Sequence, residues 1–164
     1  MVKVYGYGVP VKFNNLRKGL VVYIHPSADE KYLGVITKNV NDWVVVVLAS
    51  SAGSIPPFLI DAAAVISDMW SIDGNLEIEP KDGEFVFVKD TSSTSEKIII
   101  DSSGDIFAVV KDNDYSEWRI IHLASGEHAD GSNHEAVSKP VAVLTDFAIF
   151  IRQEGRDQRF TLTL

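Results

Sequence analysis

The chain contains no cysteine. That excludes a disulfide scaffold, a thiolate metal site and a cysteine nucleophile, and it fits a reducing compartment. Long apolar runs are also missing. A stretch such as Trp43–Ala49 falls far short of the roughly 20 residues a membrane-spanning helix needs. The N-terminus has no apolar core after Lys3 and does not read as a signal peptide. The expectation is a cytoplasmic protein with no membrane partner. Basic clusters are scarce too: 15 Lys and Arg stand against 23 Asp and Glu, for a formal charge of −8. The nearest approach to a cluster is the scattered Arg152, Arg156 and Arg159. Nucleic-acid binding relies on cations that neutralise phosphates, so the balance argues against that partner and mainly favours solubility.

Signatures of common chemistries are absent as well. There is no Gly-x-Ser-x-Gly elbow, Walker loop or His-Glu-x-x-His pair, and Gly6-Tyr7-Gly8 lacks the third glycine of a dinucleotide loop.

What the sequence does have is short β-branched and aromatic runs, among them Val21–Ile24, Leu33–Thr37, Trp43–Ala49, Glu84–Val88, Ile98–Ile100, Ile106–Val110, Trp118–Leu123, Val141–Leu144 and Phe147–Ile151. Gly, Asn, Asp and Ser clusters separate them, the pattern of an all-β protein. Phe58–Trp70 is ambiguous, because Pro56-Pro57 and Ala62-Ala63-Ala64 also suit a short helix.

Four blocks recur in the same order. Arg17–Ile24 matches Lys81–Val88, Leu33–Ile36 matches Phe107–Val110, Asp42–Ser50 matches Glu117–Ser125, and Ala64–Asp68 matches Ala142–Asp146. Trp43 and Asp68 are 25 positions apart, Trp118 and Asp146 28. The larger difference falls on Thr91–Gly104, read as an inserted surface loop of the kind chains tolerate easily. The β-branched counterpart in the second half tips Val65-Ile66 toward strand.

The chain is therefore read as all-β, a tandem duplication of a small, about five-stranded unit. In strand count and spacing the unit resembles SH3-like barrels, or a similar barrel such as the OB type. The divisions are an N-terminal arm or edge strand over 1–13, a first repeat over 14–75, a second over 76–152, and a C-terminal strand over 153–164. The short connection near Ser71–Pro80 favours close contact between the repeats. Arg159–Leu164 alternates strictly, so its apolar face is expected to dock on its own chain or a neighbour.

Candidate site residues follow from the repeat and from one polar segment. Trp43 and Trp118 serve either as core anchors or as stacking platforms for a ligand. Asp68 and Asp146 stabilise turns, or form an acidic pair across the repeats. Residues 122–135 hold three of the four histidines. There His128, Asp130 and His134 offer donors for a divalent metal, the only cofactor the sequence raises. The favoured reading of the same stretch is a polar loop joining two strands. The leading expectation is a non-catalytic binding or assembly module with a protein partner or self-association. The alternative is a small metal-dependent enzyme or metal-binding protein built on the His-rich loop.

Overall fold

A computed structural model of the chain describes residues 8–53, 55–80, 86–88, 96–129, 141–144, 147–152 and 159–161. It is mostly β. In chain order the elements are β1 (Gly8–Pro10), β2 (Val21–Ile24), β3 (Tyr32–Asn39), β4 (Asp42–Ser50), β5 (Phe58–Asp61), α1 (Ala62–Val65), β6 (Met69–Ile72), β7 (Asn75–Pro80), β8 (Val86–Val88), β9 (Lys97–Ile100), β10 (Ile106–Asp112), β11 (Glu117–His122), β12 (Val141–Leu144), β13 (Phe147–Arg152) and β14 (Arg159–Thr161). No helix among the described residues is long and apolar enough to cross a membrane.

The strands form three sheets. The first runs β1-β6-β2-β3-β4-β5, the second β11-β10-β9-β12-β8, and the third β14-β13-β7. Among the described residues none closes into a barrel, which corrects the barrel expectation. β1 and β5 end the first sheet, β11 and β8 the second. Closure is not needed, because the sheets bury their apolar faces on one another instead.

One core lies between the sheets. It takes Val21, Val35, Val46 and Leu48 from the first, Ile98, Ala108, Val110 and Ile121 from the second, and Ile78, Ile149 and Ile151 from the third. The other face of the first sheet buries Val22, Ile24, Ile36, Val45 and Val47 under Val11, Leu16 and Ala62. This explains the unbroken apolar runs of β2 and β4: a strand buried on both faces shows no alternation. The outer face of the second sheet carries Ile99, Phe107, Val109 and Ile120.

The first two sheets pass through their strands in the same pairing order, β1-β6-β2-β3-β4 in one and β8-β12-β9-β10-β11 in the other. By pairing, β9 stands where β2 does. Val21 faces Val35 as Ile98 faces Ala108. Thr91–Gly104 is not wholly a loop, since it contains β9. The Val65-Ile66 strand is also corrected. The Asp61 carboxylate accepts from the Ala63 N–H at 2.9 Å and caps a helical turn, which three alanines sustain. The chain turns a corner there before β6. Ser71–Pro80 is no bare connection either: β7 pairs along β13. β1 pairs on β6 as an edge strand, and β14 pairs on β13.

Candidate functional site

The β3–β4 and β10–β11 hairpins end side by side. Asn39, last in β3, donates from Nδ2 to Asp112 Oδ2 at 2.7 Å, and both residues are buried. Asp112, last in β10, also accepts from the Asp114 N–H at 3.1 Å and from Arg119 Nε at 3.4 Å. A buried carboxylate with three donors is well satisfied, so the two tips are fastened to each other.

On this fastening the tips present large side chains outward. Val40 is 70% exposed and Tyr115 52%. The Arg119 guanidinium lies 5.8 Å from the Tyr115 ring centre, and its Nη2 is 3.2 Å from Glu117. Lys38 Nζ lies 5.3 Å from the Trp43 ring centre. Trp43 sits opposite Lys38, and Trp118 opposite Lys111. Both tryptophans thus stand one residue into the strand that leaves a tip. Trp43 packs on the outer cluster of the first sheet and Trp118 on that of the second, each half-buried. They share an end of the molecule but line different faces, so they do not sandwich one ligand between them. Val40 and Tyr115 were not legible as surface residues, because a valine or tyrosine beside a strand reads as core.

Asp68 lies at the corner before β6. Its carboxylate accepts from Ser67 Oγ at 3.3 Å, and its carbonyl accepts from the His25 N–H at 2.9 Å. These are the bonds of a turn residue. Asp146, Asp130 and His134 lie outside the described residues.

His128 is half-buried beside β11, bridged to Ile121. Its Nε2 is shut from solvent with no hydrogen-bond partner among the described residues. Burial, then the charges of Arg119 and Lys18, push its pKa below the ordinary value against the pull of Glu127 and Asp112. Among the described residues no group of three side chains is placed to hold a metal ion.

No protein-family model matches the chain significantly, and neither does any curated protein or solved structure.

Proposed function

We propose that the chain is a binding or assembly module that self-associates through its paired hairpin tips. The observation that carries this reading is Val40. It is β-branched, holds a positive φ of +20° and is 70% exposed. A two-residue hairpin turn favours Asn or Gly at such a position, and an exposed valine adds nothing to the core. A residue that suits neither the backbone nor the interior points to a contact outside the chain. Tyr115 and Arg119 beside it are of the types that dominate protein interfaces.

The same reading takes the two larger sheets as copies of one small β unit. Their common pairing order and the equivalent placing of Trp43 and Trp118 opposite lysines support it. In that case Asn39 and Asp112 are equivalent positions that bond each other.

Val40→Asn is the test. Relief of the turn, about 1 kcal/mol, should raise Tm by about 2–4 °C at a concentration where the protein is monomeric, since assembly itself raises Tm. Native mass spectrometry at micromolar concentration should show wild-type multimers and a variant shifted toward monomer. A wild-type monomer, or multimers that survive the substitution, would remove this reading.

A second reading, a divalent-metal site with His128, Asp130 and His134, rests on the Nε2 of His128. A neutral imidazole nitrogen without a donor is the form a metal ligand needs. The same spectrum, recorded after zinc soaking, reads it: loss of zinc mass in His128→Gln supports the site, and no zinc in the wild type removes it.

A further inference from the structure

At the far end of β11 from the tips, the chain turns through Leu123–Gly126. The turn is closed by Gly126 N–H to the His122 carbonyl at 2.8 Å and by His122 N–H to the Glu127 carbonyl at 2.9 Å. Gly126, at φ +68°, has the left-handed conformation this kind of turn requires. Within it, Ser125 Oγ lies 2.7 Å from His122 Nδ1. On the other side of the ring, Asp105 Oδ1 lies 3.6 Å from Nε2. Three residues from two hairpins thus form a chain of carboxylate, imidazole and hydroxyl.

The tautomer of the ring decides which atom donates, and the neighbouring groups favour one of the two. Ser125 Oγ accepts from the Glu127 N–H at 3.2 Å and keeps a hydrogen that can turn toward Nδ1. A carboxylate facing Nε2 favours the tautomer with the proton on Nε2. Nδ1 then carries the lone pair and accepts from Ser125. That is the arrangement of a general base on a serine, with the two ring nitrogens exchanged relative to the usual order.

Both flanks are held in place. Asp105 ends a tight turn in which Asp101 Oδ1 accepts from the N–H groups of Ser103 at 2.8 Å and Asp105 at 2.9 Å. The serine turn rests on the Lys18-Gly19 loop, where Lys18 pairs with Glu127 at 2.7 Å. Beside the constellation lies a cavity of about 170 Å³ whose walls include Leu76, Ile78, Ile106 and Leu123 with Asp105 and His122. The cavity reaches the His122 ring, and Ser125 follows its wall residue Ala124 in the chain.

We propose that Ser125 is a nucleophile toward small activated esters, with His122 as its base and Asp105 as a positioning residue. In the step, Ser125 Oγ bonds to the ester carbonyl carbon and its proton passes to His122 Nδ1. The carbon–oxygen bond to the leaving alcohol breaks, and that alcohol takes the proton from Nδ1. Water repeats the cycle on the acyl-serine and releases the acid. This activity is separate from the tip surface and stands or falls without it.

The probe is an alkyl fluorophosphonate. Attack forms an Oγ–phosphorus bond and expels fluoride, which leaves with the proton from His122. Intact mass should show one adduct per chain, located on Ser125 by peptide mapping and absent from Ser125→Ala. His122→Gln should slow labelling by about 100-fold or more. Asp105 is the charged group set against the ring, with Glu127 of the same hairpin tied to Lys18. Asp105→Asn should therefore slow labelling, and Asp105→Glu, which restores a carboxylate to hold the ring, should recover most of the rate. Ser125→Cys gives an independent check in a chain with no other thiol. Its alkylation by iodoacetamide should have a midpoint below the ordinary value of about 8.5. Absence of an adduct on the wild type, equal labelling of Ser125→Ala, or an ordinary thiol midpoint would each overturn the proposal.

Discussion

At the scale of single residues, His128 ties stability to pH. Its pKa in the folded protein lies below the ordinary value, chiefly because burial disfavours the charged ring. The folded state then holds this proton less readily than the unfolded chain does. Its effect on stability is neutral above the unfolded value of about 6.5 and becomes a loss as pH falls from there toward the depressed folded value. His128→Gln should flatten that part of the curve. Urea midpoints at about pH 7.5 and about pH 5 check it, and an identical acid loss in both proteins would refute it. The sequence marked His128 as a polar-loop residue or metal ligand. Its burial against β11 depends on the turn that folds 127–129 back along that strand, which spacing does not encode. Asp105, His122 and Ser125 stayed hidden for the same reason: without a motif, only the registers of two hairpins bring them together.

Between elements, two loops from different sheets meet backbone to backbone at Gly19 and Gly126. A Cβ on Gly126 would stand 2.3 Å from the Gly19 nitrogen and 2.5 Å from the Ile36 carbonyl oxygen. Both obstacles are backbone and cannot yield as a side chain would. Thr37 reinforces the contact by donating from Oγ1 to the Gly126 carbonyl at 2.6 Å in a buried setting. Gly126→Ala should cost about 3 kcal/mol or more, combining overpacking with an unfavourable φ. Chemical denaturation measures this, and a loss under about 1 kcal/mol would mean that the loops part easily. Most strands were legible, because β-branched runs between turn residues leave few other folds. The misplacements have local causes. Ser, Thr and Gly flank the short Ile98–Ile100 run, and that composition reads as a loop where β9 forms. Val65-Ile66 looked extended by analogy with Val143-Leu144, but the Asp61 cap acts on the backbone before any analogy does.

On the scale of the whole molecule, the division at residues 75 and 76 does not divide the interior. Val21, Val35, Val46 and Leu48 bury themselves against Ile98, Ala108, Val110 and Ile121. Residues 1–75 alone would expose that face to water, with a loss of roughly 1.5–3 kcal/mol for each large side chain left uncovered. The chain should therefore unfold in one transition, and a 1–75 fragment should lack a cooperative melt. Calorimetry on both settles the point, with two separate transitions in the full chain as the contrary result.

A core made from two halves of one chain is a partnership kept by a tether. Being parts of one chain, the halves meet at an effective concentration of about the millimolar range. Any other copy of the chain has to exceed that figure to take the place of the resident half. Refolding from dilute solution therefore selects the closed monomer unit. Refolding at very high protein concentration favours exchange, with the first half of one molecule closing on the second half of its neighbour.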